Sequence, residues 1–150
     1  MVKMYTDGSS RGNPGPGGFG TVLISGQYRK EISGGYRKTT NNRMELMAVI
    51  VGLEALKKTN TVITIYSDSK YVVDSVEKGW LWGWVKKGFK EKKNADLWKR
   101  FIPVYKLQKV TFKWVKGHVG IPENERCDQL AVEAAESPNL PADIEYEALK

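Results

Sequence analysis

Residues 62–68, VITIYSD, form an almost continuously apolar run that ends on a carboxylate. A strand of this kind has no wet face and must be buried on both sides, which puts it inside a sheet covered by helices. The segments around it supply the rest of that architecture. VKMYTD, FGTVLIS and YRKEIS are short and rich in β-branched and aromatic residues, and RGNPGPGG and Ser25-Gly26-Gln27 separate them, so they read as an antiparallel meander. TTNNRMELMAVIVGLEALKK has apolar residues at 46, 49, 50, 53 and 56 and an Asn42/Glu45 pair at capping-box spacing, which predicts a helix starting near Asn42. SKYVVDSVEK and NADLWKRFIPVY predict two further helices, the second kinked or ended by Pro103. VTFKWV predicts a last strand, KGHVGIPEN a loop and ERCDQLAVEAAE a last helix. The order predicts an α/β fold with a five-stranded mixed sheet, three antiparallel strands then two parallel, flanked by helices.

At 150 residues and 41% hydrophobic content the chain suits one domain with a genuine core, placed at residues 1–137. Residues 138–150 are acidic, Pro-bearing and weakly periodic, and partial disorder is expected there. No apolar run approaches the roughly 18 residues of a membrane span, and MVKMYTDGSS lacks the apolar stretch of a signal peptide. The expectation is a soluble cytoplasmic monomer with no membrane partner. Cys127 is the only cysteine, which excludes an internal disulfide and a structural zinc site. The loop Gly12 to Gly18 has no Gly-Lys-Ser/Thr and precedes a strand, so it is a wide hairpin turn and not a phosphate loop or dinucleotide fingerprint. The formal charge of +7 is uneven: residues 133–150 stand at −4, which leaves +11 on the other 132 residues. A basic body favours a polyanionic partner, with nucleic acid foremost.

Four carboxylates occupy positions that carboxylates avoid. Asp7 ends the first strand, and Asp68 ends the most apolar one, at the sheet edge where α/β proteins hold ligands. Glu45, near the start of its helix, is aligned with Ala48, Val49 and Gly52, and Asp128 heads the stripe Ala131, Val132, Ala135, so both point toward the core side. Each has an ordinary alternative: a capping-box carboxylate for Glu45, an N-cap for Asp68, an ion pair with Arg126 or a lysine for Asp128, turn chemistry with Gly8 for Asp7. Clustered, however, four carboxylates repel and must share protons or bind cations. Oxygen-only ligands suit Mg²⁺ or Mn²⁺, and two such ions can serve phosphodiester hydrolysis.

YTDGSSRGNPGPGGFG, TTNNRMELMAVIVGL, YSDSKYVVDSV and WVKGHVGIPENERCDQLA resemble, in order and spacing, the successive motifs of bacterial-type ribonuclease HI, over about residues 3 to 136. The resemblance implies an RNase H-like fold and Mg²⁺-dependent endonucleolytic cleavage of the RNA strand of RNA/DNA hybrids, with two metal ions, little sequence preference, and 5′-phosphate and 3′-hydroxyl products. It further implies that Asp7, Glu45, Asp68 and Asp128 are the metal-binding carboxylates. His118, a loop histidine that would otherwise pass for a bystander, corresponds to one that assists proton transfer or product release. Gly8, Ser10, Asn13, Asn41, Asn42 and Lys70 would lie along the hybrid's minor groove, where the 2′-hydroxyl distinguishes RNA from DNA. Thr40 and Asn94, with Lys38 nearby, resemble a pocket for a DNA-strand phosphate.

The same resemblance places residues 79–100, beginning GWLWGWVKKGFKEKK, in a basic protrusion. Trp80, Trp84 and Trp98 would form its hydrophobic root and its DNA-facing edge, with Trp80 and Trp84 one helical turn apart as an anchoring stripe, while Phe89 would contact the substrate and Lys86, Lys87 and Lys90 meet phosphates. The protrusion is shorter than in the best-known members, with Phe89 in place of the usual tryptophan, and Lys70 stands where glutamine is common. Two other functions fit parts of the sequence: a non-catalytic nucleic-acid-binding module, disfavoured by the intact carboxylates, and a strand transferase or 3′ exonuclease of related fold, disfavoured by the complete TTNNRMEL segment.

Overall fold

The computed structural model describes residues 1–117 and 120–148. Five strands, β1 (Val2–Ser10), β2 (Gly15–Ser25), β3 (Tyr28–Thr39), β4 (Val62–Ser67) and β5 (Lys109–Trp114), form one sheet in the order β3-β2-β1-β4-β5. β1, β2 and β3 pair antiparallel, whereas β1–β4 and β4–β5 pair parallel. This is the mixed sheet expected from the element order. Ile63 and Ile65 of β4 are fully buried, but Val62, Thr64 and Tyr66 on the other face are exposed or half-buried, so the strand is sealed on one side only and the expectation of burial on both is corrected. The strands bounding the glycine-rich turn run closer to it than expected: β1 extends to Ser10 and β2 begins at Gly15. Glycine permits this, since a side chain at Gly20 would run into the backbone of Cys127 on the helix packed above.

Alternate residues of β2 face opposite layers. Phe19 and Leu23 enter the main core with α1 (Asn41–Glu54), α2 (Lys70–Glu77), α3 (Trp80–Lys86) and α4 (Ala95–Lys106). Val22 packs with Tyr5, Cys127 and Leu130 under α5 (Pro122–Ala135). The periodicity of two along β2 thus separates a large core from a small one.

Three local expectations change. The N-cap of α1 is Thr40, whose hydroxyl accepts from the Arg43 N–H at 3.2 Å, so no capping box forms between Asn42 and Glu45. Pro103 neither ends α4 nor stops it before Lys106, because it lies on the solvent side where its missing N–H leaves the Lys99 carbonyl open to water. The segment after residue 137 folds back on the domain and ends in α6 (Ile144–Ala148). Arg37 N–H donates to Pro141 O at 2.9 Å, and Asp143 is buried against Arg43 and Thr39. Composition suggested partial disorder over residues 138–150; among the described residues of that segment, Asp143 and Glu147 meet Arg43 and Arg37.

Candidate active site

The parallel register between β1 and β4 runs to Tyr5 opposite Tyr66, so Asp7 and Asp68, each two residues further on, emerge side by side. Past Tyr66 the strands part and leave a crevice at their carboxyl ends. α1 brings Glu45 to the same place by packing closely on β1 at Gly8, where any side chain would collide with the Glu45 backbone nitrogen. Each ligating oxygen of Asp7, Glu45 and Asp68 lies within 4.8 Å of the other two. Asp128, in the second turn of α5, lines the same cleft as these three acids.

The ordinary alternatives for these acids are occupied by other residues. Thr40 caps α1, and Ser69 caps α2 by accepting from Val72 N–H at 3.2 Å. Arg126, the sequence neighbour of Asp128, pairs with Glu31 at 3.0 Å. Burial pushes the Asp7 carboxyl up to about 8, the carboxylates of Asp68 and then Asp128 push the same way, and the Gly8 N–H opposes them. Glu45 is raised well above its ordinary value, by burial first and then by Asp7 and Asp68. Its Oε1 is buried without a hydrogen-bond partner. Convergent carboxyls that are hard to ionise and an orphaned buried oxygen fit a hard divalent cation as the missing counter-charge.

These acids floor a cleft of about 520 Å³ whose walls include Gly8, Ser10, Asn41, Asn42 and Lys70. Ser10 Oγ donates to Asn41 Oδ1 at 3.1 Å, and the Asn41 N–H donates to Asn13 Oδ1 at 3.1 Å, which fixes the loop against the start of α1. The Lys70 ammonium sits 4.9 Å from the ring centre of Trp114, whose indole N–H donates to Asp68 O at 3.1 Å. Ser9, Ser69 and Tyr71 also line the cleft. The sequence reading missed them; Ser69 directly follows Asp68 and Ser9 follows Gly8, which was the available signal. His118 lies outside the described residues.

Asn42 is shared with a second cavity, of about 390 Å³, also lined by Asn13, Thr40, Lys93, Asn94 and Tyr146. Thr40 and Asn94 therefore meet as expected. Lys38 does not line it, and the lysine of the lining is Lys93.

In the protrusion, Trp98 is fully buried, with Trp84 packed edge-on at 6.0 Å between ring centres. Trp80 is 48% exposed and stands outside this root, with Lys78 over its ring at 5.6 Å, so the Trp80/Trp84 stripe does not form the anchor. Leu81 and Trp84 do, and Trp82 packs on Tyr105 at 5.9 Å. Phe89, expected to contact the substrate, is only 9% exposed and belongs to the root, while Lys86, Lys87 and Lys90 are exposed.

Residues 1–136 match the family model described as RNase H. The chain is 55% identical over 148 residues to the Ribonuclease H of Desulforamulus reducens, an alignment covering 95% of this chain and 92% of that protein. It is 52% identical over 151 residues to the Ribonuclease H of Rippkaea orientalis, covering 97% and 92%. Among solved structures it resembles LC9-RNase H1, described as a type 1 RNase H with the type 2 active-site motif, at a TM-score of 0.80 and 30% identity, covering 99% of this chain and 81% of that one. It also resembles LC11-RNase H1 in complex with an RNA/DNA hybrid, at a TM-score of 0.66 and 26% identity, covering 90% and 96%.

Proposed function

The chain belongs to the RNase H family, and from that premise we propose that it is an endoribonuclease hydrolysing the RNA strand of RNA/DNA hybrids with two divalent ions, giving 5′-phosphate and 3′-hydroxyl ends. The observation that carries the reading is the convergence of Asp7, Glu45, Asp68 and Asp128 at the end of the parallel strands. Asp7, Glu45, Asp68 and Asp128 would hold the ions, and oxygen donors favour Mg²⁺, with Mn²⁺ as a substitute. Bound there, such ions supply charge neutralisation at the scissile phosphate and a water acidic enough to attack it.

The remaining chemistry belongs to the protein. The Gly8 N–H favours the ionised form of both Asp7 and Glu45, against the burial that raises them. Ser10, Asn41 and Asn42 offer short uncharged hydrogen-bonding groups on one wall, suited to a 2′-hydroxyl, which donates and accepts. Contacts of this kind to sugar and phosphate carry no base code, hence little sequence preference. Lys70, steadied on Trp114, offers a cation at the rim. Thr40, Asn42, Asn94, Asn13 and Lys93 form a pocket for a phosphate of the DNA strand, away from the cut. His118 would carry a proton or assist product release, and the exposed lysines 86, 87 and 90 would hold the hybrid along the protrusion. The protein is proposed to act as a cytoplasmic monomer; among the described residues no helix is long and apolar enough to cross a membrane.

The test is purified protein with Mg²⁺ on matched RNA/DNA, RNA/RNA, DNA/DNA and single-stranded RNA, with internal label. Internal cuts in the RNA of the hybrid alone are expected, and Asp7→Asn should abolish them while hybrid binding survives. Terminal mononucleotides would point to an exonuclease, and undiminished cleavage by Asp7→Asn would defeat the metal assignment.

A further inference from the structure

The acidic segment after residue 137 has no role in the reading above, yet it reaches the second cavity. Tyr146 lines that cavity and is the one lining residue the segment contributes. Its place is fixed from both sides. Asp143 accepts from Arg43 Nε at 2.8 Å, from Arg43 Nη2 at 2.9 Å and from Thr39 Oγ1 at 2.7 Å. Glu147 takes a bidentate contact from Arg37 at 3.0 and 2.8 Å, and its N–H donates to Asp143 O at 2.8 Å, closing one turn around Tyr146. The Tyr146 ring centre lies 5.4 Å from the Arg43 guanidinium carbon. Arg43 also donates to Asn94 Oδ1 at 3.4 Å and to Asp96 at 2.9 and 2.7 Å. One buried cation therefore ties together Tyr146, Asn94 and, through its own backbone N–H on Thr40, the start of α1.

The chemistry of the cavity is one-sided. Its lining offers the amides of Asn13, Asn42 and Asn94, the Thr40 hydroxyl, the Lys93 ammonium and the Tyr146 phenol, and none of these residues carries a carboxylate. The segment that closes it is acidic, but Asp143 and Glu147 are paired with Arg43 and Arg37, and Glu145, the residue before Tyr146, lines a different pocket beside Arg43 and Arg100 and not this cavity. A phosphodiester entering the cavity would meet hydrogen-bond donors and a lysine, and a phenol there can donate to an anionic oxygen.

We propose that Tyr146 is a substrate-binding residue: the C-terminal segment closes the second cavity with a phenol that donates a hydrogen bond to a backbone phosphate of the hybrid's DNA strand, and Asp143, Arg43 and Glu147 hold it in place. The proposal rests on the reading of that cavity as a phosphate pocket, and its test separates the two.

The full chain is assayed with Mg²⁺ on hybrids of one sequence whose DNA strand carries a single uncharged methylphosphonate at successive positions. KM and kcat are measured for the wild-type protein, Tyr146→Phe and Tyr146→Ala, and melting is followed alongside. Tyr146→Phe keeps the ring against Arg43 and removes the donor alone. The wild type should show one DNA position at which loss of charge raises KM about tenfold, the scale of a hydrogen bond to a charged group. Tyr146→Phe should raise KM on the unmodified hybrid by about tenfold with kcat little changed, and should be much less sensitive at that one position while other positions stay as they were. Should the wild type show such a position and Tyr146→Phe keep the wild-type KM and profile, Tyr146 lies outside the phosphate site although the pocket stands. Weak binding by Tyr146→Ala with a lowered melting temperature, beside a wild-type-like Tyr146→Phe, makes the residue structural and overturns the proposal as well. Absence of any sensitive DNA position in the wild type removes the pocket and the proposal together.

Discussion

At Asp7, burial and two neighbouring carboxylates act in one direction, and the consequence is a stability that depends on pH and on metal. An aspartate ordinarily ionises near 3.8, whereas this one is pushed up to about 8. Between those limits the folded protein holds a proton that the unfolded chain has released, so the contribution is complete below the lower limit and is lost as pH rises through the upper one. In EDTA the melting temperature should therefore fall as pH is raised from about 4 to about 8. A divalent cation binds the ionised form, so Mg²⁺ should raise the melting temperature by more at pH 8 than at pH 5. Asp7→Asn removes one repelling charge: it should melt a few degrees higher than the wild type in EDTA at pH 8 and respond little to Mg²⁺. Scanning fluorimetry across pH with and without Mg²⁺ checks this, and a flat wild-type profile in EDTA would mean that the carboxyls are not driven together as described. The four acids stood out in the sequence because each breaks an apolar pattern. The residues that take their ordinary roles did not, since Thr40, Asn41 and Asn42 are all good caps and only the backbone decides that Thr40 is the one used.

At the scale of elements, α3 and the turn into α4 show why the protrusion was legible as a feature and misread in detail. The density of lysine and tryptophan is visible in any reading of residues 79–100. Which aromatic rings go inward is not, because α3 has only seven residues and Trp80 sits on its first position, at the edge of the packed face. The buried face is centred on Leu81 and Trp84, and Phe89 swings under it from a backbone with φ of 59°. A period of 3.6 cannot foresee a residue delivered by a left-handed turn. The same geometry leaves Lys86, Lys87 and Lys90 on the outside, where, among the described residues, no carboxylate forms an ion pair with them. Replacing all three by Ala should raise KM for the hybrid about tenfold or more at moderate salt and change kcat little. It should also flatten the dependence of log KM on log salt by about two to three units of slope, roughly one per lost phosphate contact. Steady-state kinetics at several salt concentrations decides it; a fall in kcat at constant KM would show that the arm is not a handle for substrate.

At the scale of the whole molecule the charge is segregated, and the segregation has a structural use that composition concealed. An acidic end on a basic body invited the inference of a loose tail, and composition cannot say which acid meets which arginine. Glu136 pairs with Arg11 at 2.7 Å, Asp143 with Arg43 at 2.8 Å and Glu147 with Arg37 at 2.8 Å, so the segment is stitched along the side of β3 and over the start of α1. These contacts are unequal. The outer pairs are exposed to solvent, which screens them and leaves each with little effect on stability. Arg43 is different, at 1% exposure, because its charge is met by Asp96, Asp143, Asn94 and the Tyr146 ring. Asp143→Ala leaves that guanidinium buried with half of its counter-charge, and stability should fall by about 3 kcal/mol, whereas Glu147→Ala, which removes an exposed and screened pair, should change it little. Urea denaturation without Mg²⁺ measures both, with the slope against urea unchanged if the rest of the fold is intact. Equal, small effects would mean that the C-terminal segment rests on the domain without being built into it, and the loss of Asp143 would then also leave the second cavity unaltered.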